Sequence, residues 1–418
     1  MNSPAVEHQT FSELRQDPSD PAFFGDPYTH YANWHRQSGE HGPVFYWHHY
    51  NCWVFGGNDA VNSLFRTKKL GRRMPDASAP LGSQWRHKPD HLRDFYRAEE
   101  YSLLELEPPT HTRIRKLINS AFLARQIRDL SGDIATECDR LIDHFPRHRP
   151  VDLIQEFAEP LAVNTIARML GVDPAHGPQL LAWSHAMVRM YLDGRTRRDE
   201  EAANVAARAF RDWLTDVVRD KQDRPDDALI SQLVAAAADG DTLSTDEIIS
   251  TIILLLNAGH EASVHGFGNG VRFLLEAKDD ERRRWLSEAD AFVEEVLRIA
   301  PPLHLFFRYV LEPTTLYGIR FEPGDRVGLH IGLANHDPRT IDEPTRFRPE
   351  RTRVKNTAFG AGIHFCIGHS LARLELNLAF KTLFARLPNL QLAEPPQLKD
   401  AYHFHGFERL HVSWGPID

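Results

Sequence analysis

The spacing of hydrophobic and polar residues divides the chain into a helical middle and β-prone flanks. From Thr110 to about Ile299, apolar residues recur at the three- and four-residue intervals of helices, most clearly in Ala202–Lys221. Segment 44–55 (VFYWHHYNCWVF) is instead rich in aromatic and β-branched residues, which favour strands. Beyond Pro302, short β-prone pieces such as Arg326–Ile331 lie between turn-forming glycines. The pattern therefore predicts an α+β protein, mainly helical with small β-sheets.

We expect a single domain over residues 1–418, because no repeat, low-complexity tract or Gly/Ser linker interrupts the chain. Residues 72–103 mix proline, glycine, histidine and charged residues, which predicts a long loop with a short helix. The predicted β-rich portions lie at about 40–60 and 305–335 and in a C-terminal hairpin, and the predicted helical portions at about 110–300 and 366–388.

One predicted helix differs from the others in being apolar on almost every side. Ser244-Thr-Asp-Glu247 is a capping box that opens it, and the helix is expected to run to about Leu275. The run Ile252–Leu256 leaves no polar face, so we expect this helix to be central and buried. Its middle, residues 256–263 (LNAGHEAS), nevertheless contains polar residues and a glycine. Such a break in the local pattern tends to mark a functional or strained site.

Composition and charge exclude only a few classes of function. The chain has 418 residues, of which 42% are hydrophobic and 26% are charged, as in ordinary globular proteins. It carries 49 Lys and Arg residues against 58 Asp and Glu residues, a formal net charge of −9. Because binding to phosphates needs a basic face, this balance argues against nucleic acid as the main partner.

The cysteines and the apolar runs bear on the cellular location. Cys52, Cys138 and Cys366 lie far apart and form no CxxC pair, as in a reduced cytoplasmic protein rather than one held by disulfides. The first residues lack the basic and apolar segments of a signal peptide. The clearest aliphatic run has five residues, whereas a membrane span needs about 20. We therefore expect a cytoplasmic protein with no membrane partner, and a monomer by default.

The most specific chemical signal is the segment 359–368 (FGAGIHFCIG). Its three glycines allow tight turns and a close approach of the backbone to another group. Cys366 lies just before a predicted helix, whose positive N-terminal end stabilises a thiolate. A thiolate held against a flat cofactor is the ligand that heme iron needs for cleavage of the O–O bond. The alternative interpretation is a buried structural cysteine beside a glycine turn.

This segment resembles the heme-binding loop of the cytochrome P450 family. The resemblance implies heme b as cofactor, Cys366 as the iron ligand, and Phe359, Gly360 and Gly368 in the loop that holds the heme. It also implies a triangular prism with the heme between a long central helix and the helix that follows the cysteine loop. Glu295-Val-Leu-Arg298 resembles the ExxR motif of the same family, where the pair locks the core with a later arginine, here Arg348 or Arg351.

A second set of residues is basic. His111 and Arg115 share one face of a predicted helix and could grip a pair of carboxylates, although a solvated basic face is the alternative. The resemblance implies that His111 and Arg115, together with Arg308 and His364, bind the heme propionates. These four side chains would then provide hydrogen-bond donors and positive charge for the two propionate carboxylates.

The middle of the long helix resembles the family pattern A-G-x-[D/E]-T, whose acid and alcohol deliver protons to the dioxygen. Ala258, Gly259 and Glu261 match, but Ala262 stands where the threonine is expected. The predicted catalytic positions are therefore Glu261, Ala262 and Ser263. Ser263 could replace the hydroxyl although it points about 100° away around the helix. A second alternative, which we favour, is that a hydroxyl of the substrate or a water molecule takes the place of the missing threonine hydroxyl. A third is that the enzyme is poorly coupled and releases peroxide.

The resemblance also predicts the substrate pocket. Its walls are expected from residues 72–103, 183–192, 254–262, 303–307 and 404–407. Small-molecule sites are mostly apolar with a few polar groups, and the candidates here fit that description. The predicted pocket residues are Leu254, Asn257, His304, Leu305, Phe306 and Phe404, of which Asn257 and His304 would be polar handles.

The implied activity is that of a soluble bacterial P450 monooxygenase, which inserts one oxygen atom from O2 into a small organic substrate by hydroxylation or oxidative demethylation. Two electrons would come from a separate partner, a ferredoxin with its reductase, and Arg115, Lys116 and Arg373 could form a local basic dock for it. Two alternatives stay open. One is a peroxygenase that uses H2O2, disfavoured because residues 260–263 lack an Arg-Pro pair. The other is a heme-thiolate protein that binds a ligand without turnover.

Overall fold

The computed structural model describes residues 12–73, 89–121, 130–146, 148–192, 194–238, 241–351 and 354–415. Residues 74–88 of the loop predicted at 72–103 lie outside these residues. The described part of that segment contains the short helix Arg93–Ala98, as expected.

The α-helices of the described residues are numbered in chain order. They are α1 (Pro21–Gly25), α2 (Pro27–Arg36), α3 (Asn58–Arg66), α4 (Arg93–Ala98), α5 (Thr110–Ala121), α6 (Ser131–Asp143), α7 (Glu159–Leu170), α8 (Gly177–Val188), α9 (Arg197–Asp223), α10 (Leu229–Ala235), α11 (Thr245–Glu276), α12 (Asp279–Ser287), α13 (Ala289–Ile299), α14 (Ile331–Ala334) and α15 (His369–Arg386). A π-helical turn, Ile154–Ala158, leads into α7. No helix within the described ranges is long and apolar enough to cross a membrane.

The β-strands are short. They are β1 (Ser12–Leu14), β2 (Val44–Trp47), β3 (Cys52–Phe55), β4 (Leu70–Gly71), β5 (Val151–Asp152), β6 (Ala237–Ala238), β7 (Asp241–Thr242), β8 (Leu305–Val310), β9 (Thr314–Leu316), β10 (Ile319–Phe321), β11 (Arg326–His330), β12 (Leu390–Leu392), β13 (Gln397–Leu398), β14 (Phe407–Arg409) and β15 (His411–Trp414). The mainly helical α+β class expected from the sequence is confirmed.

The largest sheet joins the two β-prone flanks of the chain. Its strand order is β1-β2-β3-β11-β8-β4. Segment 44–55 forms the antiparallel hairpin β2–β3, with Val44 opposite Phe55. Strand β11 then pairs parallel with β3 and antiparallel with β8. Residues separated by more than 250 positions in the chain are therefore held in one sheet, which fixes β8 at the edge of the cavity described below.

Helix α11 passes through the middle of the molecule. The capping box is present: Ser244 Oγ accepts from Glu247 N, and the Glu247 carboxylate accepts from Ser244 N. The first half of α11 packs in one hydrophobic cluster, through residues such as Ile252 and Leu256. The second half packs in another, through residues such as Val264 and Val271. The polar break at 257–263 lies between the two clusters, which explains why a helix apolar on every side is interrupted there.

Two glycines set how closely α11 packs. A Cβ added to Gly270 would lie 2.2 Å from the ring of Phe380 on α15, and one added to Gly268 would lie 3.1 Å from the ring of Phe407. Real Cβ atoms do not approach a carbon atom to 2.2 Å, so the Gly270 position requires glycine. The helix and α15 are therefore in contact through the backbone of α11.

The ExxR pair forms a buried ion-pair network behind the core. Arg298 Nε and Nη2 donate to the two oxygens of Glu295 at 2.7 and 2.8 Å, and both side chains are buried. Glu295 Oε1 also accepts from Arg351 Nε at 3.1 Å and from the backbone N–H of Arg348 at 2.8 Å. Of the two arginines predicted as the third member, Arg351 thus supplies its side chain, and Arg348 supplies its backbone N–H. The Arg348 side chain pairs with Glu343 at 2.6 Å.

Removing Arg351 leaves Glu295 short of one cationic partner in a buried site. We expect Arg351→Ala to lower the free energy of unfolding by about 3 kcal/mol. The reason is that removing one partner of a buried ion pair leaves the other charge buried without full compensation. Arg219→Ala is the matched control, since Arg219 pairs with Asp216 on the surface and such pairs contribute about 0–1 kcal/mol. Urea denaturation measures both. Equal stabilities for the two variants would contradict the network's structural role.

Candidate active site

Cys366 lies in a tight loop between a 3-10 turn, Gly362–His364, and the start of α15. The Cys366 N–H donates to the Phe359 carbonyl at 3.0 Å, which closes the loop. Gly360 and Gly362 have φ values of +66° and +73°, in the region that favours glycine. A Cβ on Gly362 would also lie 2.4 Å from the carbonyl oxygen of Phe65. The loop sequence is therefore what allows this backbone path.

The environment of the Cys366 sulfur contains opposing effects. Burial raises the pKa of the thiol, whereas the backbone N–H of Gly368 and the cations of Arg115 and Arg373 lower it. These donors and cations are the groups that stabilise a thiolate near a helix N-terminus. The Cys366 sulfur is therefore buried, and a thiolate there would be stabilised by a backbone N–H group and two cationic side chains.

A cavity of about 250 Å³ lies between the cysteine loop and α11. On the loop side it is lined by Phe359, Gly360, Cys366 and Gly368. On the α11 side it is lined by Leu254, Ala258, Gly259, Ala262 and Ser263. Small residues on α11 face Cys366, so the helix leaves space where large side chains would fill it. These residues were all predicted from the sequence, and the structure brings them to one cavity.

One end of the cavity is cationic. Arg115, Arg308 and His364 line it, and the His111 ring lies 4.5 Å from the His364 ring. Arg115 Nη2 donates to the Phe365 carbonyl at 2.7 Å, and His364 Nε2 lies 3.4 Å from Glu107 Oε1. The four predicted propionate residues are therefore neighbours, although they come from α5, β8 and the cysteine loop.

At this cationic end Glu107 faces His364, whereas Arg115 and Arg308 donate to backbone carbonyl groups rather than to carboxylates. Burial lowers the pKa of Arg308 to about 9, and burial with the neighbouring His364 and Arg115 lowers the pKa of His111 to about 4. Both ring nitrogens of His111 are buried without a hydrogen-bond partner among the residues that the structure describes. Buried polar groups normally have partners. The arrangement fits a ligand that carries carboxylates, as heme does with its two propionates.

Glu261 does not line this cavity. Successive residues of a helix are rotated by about 100°, and the side of α11 that carries His260, Glu261 and His265 faces a second cavity of about 420 Å³. There Glu261 Oε2 accepts from Lys399 Nζ at 2.9 Å and lies 3.1 Å from His265 Nε2. Although burial raises the pKa of Glu261, His265 and Lys399 bring it far below its ordinary value. Glu261 is thus an ionised carboxylate held on the opposite side of the helix from Cys366.

Comparison with known proteins identifies the family. The family profile described as Cytochrome P450 matches residues 279–404. The Vitamin D(3) 25-hydroxylase of Pseudonocardia autotrophica is 35% identical over 347 residues, which cover 80% of this chain and 84% of that protein. The Steroid C26-monooxygenase of Mycobacterium tuberculosis is 31% identical over 319 residues, which cover 75% of this chain and 86% of that protein. The chain belongs to the cytochrome P450 family.

A solved structure agrees with this assignment. The crystal structure of CalO2 matches with a TM-score of 0.86 and 27% identity, covering 97% of this chain and 100% of that chain. The protein is a P450 heme-thiolate monooxygenase with heme b as its cofactor, and it acts on an organic substrate with O2 and a redox partner. The recognition of the family from the cysteine loop is confirmed.

Four of the six residues predicted for the substrate pocket of this P450 do not line the cavity at Cys366. Leu254 and Phe306 do line it. Leu305, the neighbour of Phe306 on β8, points to the opposite face of the sheet and is buried in an aromatic core cluster. His304 is also buried, with its Nδ1 2.5 Å from the Tyr31 hydroxyl. The expected polar handle at His304 is therefore corrected to a group of the structural core.

The other two corrections have similar causes. Asn257 lies on the side of α11 away from Cys366, with its Nδ2 3.8 Å from the Met187 sulfur. Phe404 pairs with Leu303 in an isolated β-bridge, and its ring packs against those of His265 and His403. Leu303, rather than Phe404, contributes to the cavity wall.

Several residues that line the cavity were not predicted from the sequence. These are Phe65, Leu104, Ile166, Met169 and Glu375. Glu375 stands out, since burial raises its pKa to about 7 while the hydroxyls of Thr165 and Ser263 act in the opposite direction. A lone glutamate in a helix gives no sequence signal of burial, whereas Leu104 directly follows the segment 72–103 that was expected to form a wall and that contributes Leu103.

Phe306 and Leu305 form a matched pair for testing which side chains face the ligand. We expect Phe306→Ala to weaken binding of 4-phenylimidazole by about tenfold, because an aromatic wall of the cavity is lost. Leu305→Ala should leave that affinity within about twofold and lower stability by about 2–5 kcal/mol, as truncations in a core do. Optical titration and urea denaturation measure the two effects. An affinity loss in Leu305→Ala that exceeds the loss in Phe306→Ala would refute this assignment of the two faces of β8.

Proposed function

We propose that Cys366 ligates the heme iron of this P450 and that the oxygenation of a small organic substrate takes place in the cavity between Cys366 and α11. The observation that carries the proposal is the position of the glycine-loop cysteine opposite Ala258 and Gly259, with the buried Arg308 and the unpartnered ring of His111 at one end of the same cavity. Bound heme supplies the reductive activation of O2 that neither the thiolate nor any other side chain provides.

The proposed roles of the surrounding residues follow from their positions. Arg115, Arg308, His111 and His364 hold the heme carboxylates, and the loop residues Phe359, Gly360 and Gly368 support the sulfur. Ala258 and Gly259 leave room for the flat cofactor beside α11. Leu254 and Phe306 give an apolar wall that excludes water from the substrate.

Proton delivery is proposed to pass through Glu261. Its ionised carboxylate lies against Lys399, which can give it a proton and is then reprotonated from solvent, since the Lys399 side chain is 28% exposed. Ala262 offers no hydroxyl on the cavity side, and Ser263 is engaged with Glu375. A water molecule or a hydroxyl of the substrate therefore has to bridge from α11 into the cavity, which is the alternative that the sequence also favoured.

The electron donor is proposed to be a ferredoxin that docks near the cysteine loop. Arg373 lies there, with its guanidinium 4.4 Å from the centre of the Phe359 ring and an ion pair to Glu294. Arg115 lines the cavity end, so the basic dock for an acidic partner is proposed at Arg373 and the exposed Lys116. We further propose one domain over residues 1–418 that acts as a cytoplasmic monomer.

Loss of the sulfur tests the main proposal. We expect Cys366→Ser to lose the thiolate signature in the ferrous–CO difference spectrum and to lose NADPH-driven oxygenation with a ferredoxin system, since an alcohol is a far weaker donor to iron. Cys52→Ala is the matched control because Cys52 is buried in a separate aromatic cluster. A normal thiolate spectrum in Cys366→Ser would exclude Cys366 as the iron ligand.

A hydroxyl at position 262 tests the proton path. We expect Ala262→Thr to keep heme binding and to lower the H2O2 released per NADPH consumed, because the hydroxyl supplies the missing bridge. Peroxide and NADPH are measured with a substrate found by optical titration. Ser263→Ala is the matched comparison. If this variant releases the same amount of H2O2 per NADPH consumed as the wild type, Ser263 does not take part in proton delivery. If Ala262→Thr couples no better than the wild type, position 262 is not the proton-delivery point.

Ala262 also favours a second candidate function, oxygenation driven directly by H2O2. A gap in proton delivery to O2 need not impede a peroxide that already carries its protons. The test compares the rate of product formation with H2O2 alone to the rate with O2 and the ferredoxin system. A rate with H2O2 alone that equals or exceeds the other would favour the peroxygenase activity.

A further inference from the structure

The second cavity contains a cluster of potential metal ligands, two of which have no role in the proposed oxygenation, while the third, Glu261, is the residue proposed for proton delivery. His185 on α8 and His260 and Glu261 on α11 each present one ligand atom, and these atoms lie within 4.8 Å of one another. We call these three residues the His-His-Glu cluster. None of them lines the cavity at Cys366. The cluster is therefore separate from the heme site, although it lies on the other side of the same helix.

The hydrogen bonds of His260 define which ring nitrogen carries a proton. His260 Nδ1 lies 3.3 Å from the Leu256 carbonyl oxygen and 3.1 Å from Ser184 Oγ. A carbonyl oxygen only accepts, so the Leu256 contact is a hydrogen bond in the tautomer that carries its hydrogen on Nδ1. Within the described part of the chain, Nε2 is buried without a hydrogen-bond partner. In that tautomer Nε2 presents a lone pair.

The unpartnered lone pair of His260 faces a carboxylate oxygen. His260 Nε2 lies 3.8 Å from Glu261 Oε1, while Lys399 and His265 contact the other oxygen, Oε2. Two acceptors that face each other in a buried site repel unless a cation lies between them. Metal-binding histidines commonly have this arrangement, in which one nitrogen donates to a backbone carbonyl and the other binds the metal.

His185 completes the cluster from the neighbouring helix. Its ring lies 5.1 Å from that of His260, and its Nε2 lies 3.7 Å from Glu159 Oε1. The His185 side chain is 42% exposed, so it can rotate by the small amount that coordination requires and leaves a path for an ion from solvent. Glu159 lines the same cavity as the three residues of the cluster.

We propose that His185, His260 and Glu261 bind a divalent transition-metal ion of the zinc type. Two imidazole nitrogens and one carboxylate oxygen are a ligand set of zinc sites that keep a fourth position open, whereas calcium and magnesium prefer oxygen ligands. Ligands at zinc-bond lengths in a tetrahedron are about 3.4 Å apart, close to the 3.8 Å between His260 Nε2 and Glu261 Oε1. Lys399 keeps its contact with Oε2 or turns outward, since its side chain is 28% exposed.

Zinc binding to the heme-loaded, substrate-free enzyme tests the proposal without any turnover. Isothermal titration with ZnCl2 is expected to show one site in the wild type that is weakened by about 10–100-fold or more in His185→Ala, because a metal ligand is lost. His176→Ala is the matched control, since His176 is an exposed histidine outside the cluster. An unchanged heme spectrum in all three proteins shows that the fold and the Cys366 site are intact.

Two results overturn the proposal. One is the absence of a saturable site in the wild type at micromolar zinc, and the other is equal affinity in His185→Ala and the wild type. Crystals soaked in ZnCl2 give a second readout, with an anomalous peak at the zinc edge expected between His260 Nε2 and Glu261 Oε1 and lost in Glu261→Gln. A peak elsewhere on the surface identifies nonspecific histidine binding and also refutes the site. Neither measurement depends on oxygenation, so failure here leaves the role of Cys366 unaffected.

Discussion

Helix α11 has to be buried along its whole length and still leave room for a cofactor on one side. The chain meets this constraint at residues 257–263, where α11 passes between two hydrophobic clusters. Small residues, Ala258 and Gly259, face Cys366. Polar residues, His260 and Glu261, face the opposite way, and Glu261 is compensated there by Lys399. Burial of a carboxylate is costly without such a partner, so Lys399 is what allows Glu261 to be buried on that side of the helix.

The sequence predicted the parts of the fold that are set by local patterns. The capping box at Ser244, the strands at 44–55 and the glycines of the cysteine loop each require a particular backbone conformation, which short-range sequence encodes. The family resemblance then brought distant residues such as His111 and Arg308 into one proposed site, and the structure has them beside the same cavity.

The remaining features depend on contacts between distant parts of the chain. Glu261 is compensated by Lys399, which is 138 positions later, and nothing in the sequence near residue 399 indicates that contact. Leu305 and Phe306 both look like pocket residues in the sequence, and the pairing of β8 with β11 decides which one faces the cavity. The third member of the ExxR network was ambiguous for the same reason, since Arg348 and Arg351 are close in sequence and both contact Glu295.

The contact of Gly270 with Phe380 also limits how this enzyme can adapt to molecules of different size. Because the ring of Phe380 leaves no room for a Cβ at Gly270, α11 and α15 are already packed as closely as possible at that point. The helix that carries Ala258 and Ala262 therefore cannot shift toward α15 there without a clash. We expect adjustment to a larger or differently shaped substrate to come from the opposite walls, where Phe306 and Leu103 lie on a strand and a loop. Selection for new substrates should accordingly alter those walls and leave the glycines of α11 in place.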